Sequence, residues 1–411
     1  MIDAIVLGAG AAGLRAGAEL LRKRLRVLVL EARDRIGGRV HSVEDRELGR
    51  VVELGAEFVH GEPARELERR KLKLEAVDGR QMALIDGELR EVTRQFRSML
   101  RKLATARGHG TALGWLATAP LDPTERELAR HYIEGFFAAP AAFVGIEEVA
   151  NDQGMRTRRV VGGYDRALRG YADALRGAQA LRLGVTVEQV RWRKKRVVVK
   201  ARTLGGNTEE IDAQRLIVTL PVSVLSARDG VRFDPPLSGK QEALTWIRTG
   251  AVVKALLRFR EPFWLTRALR KADFFNAPSA PFPTWWRASR REVPLLTGWA
   301  GGPAAERLQS RDCLADALDS VARVFGRTRG EIESLVESVR IVDWTQDPFA
   351  RGAYAYELAG SPPDLLQRLA APVEDTLFFA GEATSLTGRG GTVDGALETG
   401  ARAAKQLLRT L

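Results

Sequence analysis

A lysine inside an apolar run is the first residue whose type and setting could do chemistry. Residues 249–264 read TGAVVKALLRFREPFW, and the β-branched and apolar content predicts a strand. At a period of two, Lys254 shares a face with Val252, Leu256 and Arg258, while Val253, Ala255, Leu257 and Phe259 take the other. Taken alone, the pattern fits a lysine on the wet face of a half-buried strand. An ammonium held inside is costly to desolvate unless a buried reaction uses it.

The second candidate cluster is AIVLGAGAAGLRAGAELLRKRLRVLVLEARDR. It reads as a strand (Ala4–Leu7), a glycine turn, a helix and a second strand (Val27–Leu30) closed by Glu31. A lone GxGxxG carries little, but this full context is the dinucleotide fingerprint. Gly8 permits the tight turn, Gly10 lets the backbone approach a pyrophosphate, and Gly13 lets helix pack on strand. The helix amino terminus, at Ala12, offers N–H groups to phosphate. Glu31 is placed to accept from ribose hydroxyls.

The elements needed to position these groups require a large chain. At 411 residues the sequence is too long for one compact core and predicts two domains or more. Hydrophobic content of 45% with 28% charged residues is that of an ordinary globular enzyme. The single cysteine, Cys313, excludes an internal disulfide, and four scattered histidines (His41, His60, His109, His131) argue against a metal site. The net charge of +12 is spread along the chain, and RWRKKR at 191–196 reads as a hairpin corner, so no nucleic-acid partner is expected. FFAAPAAFVGI is too short to cross a bilayer, no leader precedes the first strand, and no membrane partner is expected. With one cysteine and no leader, the expected location is cytoplasmic. No nucleophile elbow or P-loop appears, which removes hydrolase and kinase readings. Nothing in the sequence specifies an oligomeric state.

Directly behind Glu31, the run EARDRIGGR supplies Ala32, Arg33, Gly38 and Arg39. It resembles the FAD-binding signature of the flavin amine oxidase superfamily, which includes monoamine, polyamine and L-amino-acid oxidases and histone lysine demethylases. The resemblance recurs in order along the chain. ELGAEFVHG (53–61) resembles the stretch that lines the flavin in polyamine oxidases, implicating Gly55, Ala56, Glu57 and His60. VVGGYDRALRGYADAL resembles the return to the FAD domain, and LGVTVEQV places the Val187 backbone at adenine. TGAVVKALLRFREPFW matches the lysine strand, where the resemblance implies that Lys254 lies beneath the flavin, linked through a water to N5. DWTQDPFARGAYAY carries the active-site aromatic, Tyr354. LFFAGEATSLTGRGGTVDGALETGARAAKQLL resembles the carboxyl-terminal FAD motif, with Gly381, Glu382, Thr392 and Val393 at the cofactor. The helix opening there would favour negative charge on the reduced flavin.

Departures from the family pattern sharpen the expectation. Ala353 stands where monoamine oxidases tether FAD through a cysteine, so the resemblance implies non-covalent FAD. Thr392 stands where a second cage aromatic would sit, and Phe58 where L-amino-acid oxidases place an arginine. Glu57, His60 and Glu62 are then candidates to meet an ammonium.

The expected fold is α/β: a Rossmann-like FAD domain from 1–72, 156–228 and 345–411, and a mixed-sheet and helical substrate domain from 73–155 and 229–344. Residues 90–150 read as helical, with Leu128, Tyr132, Ile133, Phe136 and Phe137 forming a stripe expected to be core. Packing is also the expected role of Trp285, Trp286 and Trp299. The expected activity is FAD-dependent oxidation of a small amine at CH–NH or CH–NH2. Hydride would pass to flavin N5 and O2 would reoxidise it to give H2O2. The alternatives are a flavin desaturase or dehydrogenase with another acceptor, and a non-catalytic flavoprotein.

Overall fold

The computed structural model describes residues 2–60, 67, 71–151, 157–288, 293–309 and 311–411. Strand Ile2–Leu7 is apolar at every position but one, and it is central. It runs parallel to Val27–Leu30 on one side and to Thr208–Val218 on the other. Leu181–Arg182 and Leu377–Phe379 extend this parallel region. Ala4 and Val6 face one core with Leu14, Leu168, Leu175 and Leu407, while Ile5 and Leu7 face another with Val190, Val197 and Val199. Burial on both faces explains why the strand shows no alternation in sequence.

The same sheet continues as an antiparallel meander, Thr208–Val218, Arg196–Thr203 and Val185–Arg193. RWRKKR makes the hairpin corner as expected, with Arg193 opposite Arg196 and Lys195 at φ 62°. Arg232–Asp234 closes this edge.

Helices Ala11–Arg22 and Val393–Leu408 pack on the first face at unusually short range. A Cβ on Gly400 would lie 2.2 Å from the Ala12 carbonyl oxygen, and one on Gly13 would lie 1.9 Å from that of Gly8. Gly8 itself sits at φ 98°, a turn conformation that side chains disfavour.

The second large sheet has the order Val336–Asp343, Val252–Phe259, Leu295–Gly301, Thr284–Arg287, Ala272–Asn276, Arg80–Ile85, Glu88–Glu91. It is antiparallel except where Ala272–Asn276 meets Arg80–Ile85. The helices expected over 90–150 are Thr93–Ala104, Ala112–Thr118, Pro123–Phe136 and Ile146–Asn151. Asp122 starts the third with a capping box to Glu125 and Pro123 in its first turn.

The lysine strand is not half-buried, as its pattern taken alone would have it. Val253, Ala255, Leu257 and Phe259 enter the core beneath helix Cys313–Phe325. The opposite face is buried too, and Lys254 has 0% exposure. The period-two reading separated the faces correctly but put water where protein lies.

Replacing Gly13 by Ala would normally stabilise a helix interior. Here the added methyl meets the Gly8 carbonyl, so Gly13→Ala should lower the unfolding free energy by roughly 1–3 kcal/mol in urea titration. A neutral or stabilising result would show that this helix–strand contact is not tight.

Candidate active site

The carboxyl ends of the first sheet's parallel strands and the Lys254 face of the second sheet border a cavity of about 800 Å³. The site residues drawn from the sequence line it together, apart from Gly13, whose part is the packing just described. At one end are Gly8, Gly10, Ala12, Glu31, Ala32, Arg33, Gly38, Arg39 and Val187. Gly55, Ala56, Glu57, Lys254, Tyr354, Gly381, Glu382, Thr392 and Val393 also line it, and His60 faces it.

Local structure accounts for the glycine end. Glu31 accepts from the Ala9 N–H at 2.7 Å and from the Arg33 N–H at 3.0 Å, which fixes the turn relative to the second strand. Helix Ala11–Arg22 starts at Gly10 with no side-chain cap and no acidic residue in its first turn. Its amino end is therefore left to an anion from outside the chain. Glu382 is held by Arg39 at 2.8 Å and by the N–H groups of Ala355 (3.3 Å) and Gly391 (3.1 Å). Arg39 also donates to the Ala353 carbonyl. Glu382 thus ties three segments of the cavity wall. The Thr392 hydroxyl accepts from Gly395 N–H at 2.9 Å and donates to the Arg389 carbonyl at 2.8 Å, which makes it the cap of the last helix.

Lys254 lies at the centre. Its Nζ donates to Glu57 Oε2 at 2.9 Å and to the Gly55 carbonyl at 3.3 Å, and stands 5.7 Å from the Trp286 ring centroid. The other oxygen of Glu57 accepts from Arg159 Nε at 2.8 Å and from Trp286 Nε1 at 3.0 Å. Burial raises the Glu57 pKa, but Lys254 and Arg159 outweigh it and hold the carboxyl down at about 2. This corrects one expectation. Glu57 is already shared between two cations and has no charge to spare for a substrate ammonium. Glu62, named with it, lies outside the described residues.

Beyond the lysine the cavity is walled by Phe58, Tyr132, Phe136, Phe274, Trp286 and Trp299. Two expectations are corrected here. Of the stripe on helix Pro123–Phe136 and the residue after it, Leu128, Ile133 and Phe137 are core, the last also bordering the cavity, but Tyr132 and Phe136 are only partly buried and reach the cavity. Likewise Trp285 is core, while Trp286 and Trp299 face the cavity. A helix of two apolar stripes puts one against its neighbours and the other against whatever the cavity holds. The Tyr354 hydroxyl donates to the Phe136 carbonyl, joining the two walls.

His60 and His131 both border this region, and desolvation lowers each to a pKa of about 4. His131 Nε2 is within 3.2 Å of Asn276 Oδ1 and 2.9 Å of the Thr284 hydroxyl. His60 Nδ1 has no hydrogen-bond partner among the described residues. Sequence reading missed Arg159, His131 and Asn276. Arg159 and His131 sit among other polar residues, in TRRV and in ELARHY, and Asn276 ends an apolar strand. No local signal says that the polar group points inward.

A family model for flavin-containing amine oxidoreductases matches residues 11–408. The chain belongs to that family. Polyamine oxidase 3 of Oryza sativa subsp. japonica is 29% identical, across 98% of this chain and 88% of the relative. Polyamine oxidase 2 of Arabidopsis thaliana is also 29% identical, across 98% and 87%. Among solved structures, putrescine oxidase bound to putrescine superposes with a TM-score of 0.81 at 21% identity, covering 99% of both chains. Cyclohexylamine oxidase from Brevibacterium oxydans gives 0.82 at 19%, again over 99% of both. These structures share the two-domain α/β fold.

The protein is an FAD-dependent amine oxidoreductase, and the residues present fit the cofactor. Gly10 and Gly381 have open space where a Cβ would stand, as a backbone approached closely by a ligand requires. The uncapped helix at Gly10 suits the pyrophosphate, and Val187 and Glu31 border the end that suits the adenosine. Among the described residues no group of His, Cys, Asp and Glu is arranged to hold a metal. Among them, too, no helix is long and apolar enough to cross a membrane.

The buried histidines make stability depend on pH. His41, lowered to about 4 by burial and by Arg35 and Arg33, joins His60 and His131. All three stay neutral in the folded chain, whereas the unfolded chain takes up protons below about pH 6.5. Their contribution is therefore lost as pH falls from 6.5 to 4. Glu53, pushed up to about 7 by burial, works the other way, opposing folding as pH rises from about 4.5 to 7. His131→Gln should flatten the fall in urea midpoint between pH 6.5 and 4, and an unchanged slope would remove His131 from this account.

Proposed function

We propose that this protein oxidises an amine with an apolar body to its imine, uses O2 as electron acceptor, and holds FAD without a covalent link. The observation that carries this reading is Lys254, a fully buried ammonium lining the cavity that the dinucleotide turn also borders. Held by the glycine turn, Glu31, Arg39 and Glu382, FAD would supply the acceptor for the hydride from the amine α-carbon and the route for its electrons to O2, giving H2O2, and water would hydrolyse the imine to an aldehyde or ketone.

The chain's own residues have the remaining tasks. The aromatic walls, Phe58, Tyr132, Phe136, Phe274, Trp286 and Trp299, exclude water and orient the apolar body. Neutral His60 gives the amine a polar contact that does not repel a cation, and the chamber favours the uncharged amine that hydride transfer needs. Lys254 supplies positive charge where negative charge develops. Ala353 supports a non-covalent cofactor, since its methyl cannot form a thioether.

The relatives are named for polyamine, putrescine and cyclohexylamine oxidation. The aromatic lining supports the last kind of substrate over the charged ones. The proposed division assigns 1–72, 156–228 and 345–411 to the FAD and 73–155 and 229–344 to the substrate, although the edge strand Arg232–Asp234 joins the first sheet. The single cysteine supports a reducing compartment, and the cytoplasm is the proposed location.

Anaerobic addition of cyclohexylamine should bleach the flavin faster than putrescine does, and readmitted air should restore the colour with one H2O2 per turnover. Bleaching without peroxide would replace O2 by another acceptor. Acid precipitation should release FAD into the supernatant. Lys254→Met should retain FAD yet reoxidise at least about tenfold more slowly; wild-type oxygen reactivity would remove the lysine from the chemistry.

A further inference from the structure

Lys254 does not reach the cavity as an independent cation. Its strand brings in Nζ with 0% exposure, and the described partners are one carbonyl and one carboxylate. That carboxylate is fixed on both oxygens. Glu57 Oε2 faces Lys254, while Oε1 takes Arg159 Nε and Trp286 Nε1. Arg159 is fixed in turn. Its Nη2 donates to the Arg287 carbonyl at 2.9 Å, and its guanidinium lies 4.9 Å from the Phe58 ring centroid. Glu57 is also a wall. It borders the large cavity on one side and, on the other, a small polar pocket of about 80 Å³ reached by Glu53 and Arg159.

The charges do not cancel. A Lys–Glu pair alone is neutral and would present little field to the cavity. With Arg159 the buried group has two cations and one anion. Glu75, which lies opposite Arg159 on the adjacent strand, also borders the small pocket, and other neighbouring charged groups have contacts of their own. Arg287 is paired with Asp273 at 2.7 Å, and the Asp343 carboxylate accepts from the Thr345 N–H and hydroxyl. Glu53, which accepts from the Ser42 hydroxyl and the Tyr164 N–H, is neutral at pH 6.

We propose that Glu57 is a positioning residue for Lys254: held by Arg159 and Trp286, it fixes the ammonium at the cavity wall, where the trio presents one net positive charge to the flavin. This rests on the reading of Lys254 given above. Without Glu57, Nζ keeps a single described acceptor, the Gly55 carbonyl, and loses the contact that fixes its position. Without Arg159 the remaining pair sums to zero.

The test uses FAD-loaded protein at pH 6, with the flavin reduced by dithionite so that no amine substrate is required. Reoxidation on mixing with oxygenated buffer and the flavin midpoint potential are measured for wild type, Glu57→Gln, Arg159→Gln, Lys254→Met and the Glu57→Gln/Lys254→Met double variant. Glu57→Gln should reproduce the roughly tenfold slowing of Lys254→Met, and the double variant should be no slower than either, because both changes remove the same effect. Glu57→Asp should recover part of the rate. Arg159→Gln should lower the midpoint potential, as should Lys254→Met, since each removes a positive charge from a buried site.

Wild-type reoxidation in Glu57→Gln, or losses that multiply in the double variant, would overturn the proposal while leaving Lys254 in place. Wild-type reoxidation in Lys254→Met would instead overturn the reading on which it rests. Should Glu57→Gln fail to hold FAD, the potential of Arg159→Gln decides, and an unchanged value overturns the proposal.

Discussion

A buried charge must be compensated, and the site is organised around that requirement. Lys254 enters from the second sheet, Glu57 from the segment leading into strand Phe58–His60, and Arg159 from the strand that pairs with it. Breaking such a pair by removing one partner typically costs about 3–5 kcal/mol, far more than a surface ion pair contributes. The trio therefore fixes the position of the 53–60 segment against the lysine strand. The shape of the cavity follows, since Gly55, Ala56, Phe58 and His60 all lie on that segment.

Around this polar centre the two ends of the cavity are built by different means. The glycine end is made of backbone: a turn at positive φ, an uncapped helix, and Glu31 bonding one N–H of the turn and one just beyond its own strand. The far end is made of side chains, chiefly aromatic rings in contact. Phe58 lies 5.3 Å from Trp286, and His60 lies 5.1 Å from Phe136, centroid to centroid. Backbone recognition suits an invariant cofactor, whereas ring packing sets the outline of a variable substrate.

Sequence exposed these two ends unequally. The turn at Gly8–Gly13 was legible because glycine is needed for its backbone geometry and leaves a mark at each position. The lysine strand was legible as a strand, and its two faces were separated correctly. What lay against the polar face was not, because a period of two gives direction without naming the neighbour. Tyr132 and Phe136 show the same limit. Their helical spacing revealed an apolar face, but core and cavity place the same demand on a side chain until tertiary structure chooses. Arg159 left no trace at all. Its role exists only because strand Phe58–His60 pairs with Thr157–Val160, a contact far apart in the chain.

The close seat of Gly400 on Ala12 also governs the order in which the molecule can be made. The phosphate-binding turn is translated long before the helix that packs against it. Strand Leu377–Phe379, which pairs with Thr208–Val218, arrives equally late. Until that helix is made, a nascent chain carries an unfinished nucleotide site, with apolar strand surface waiting for a distant partner. Such long-range closure is slow and exposes the chain to aggregation, and the nucleotide site is complete only once helix Val393–Leu408 has docked.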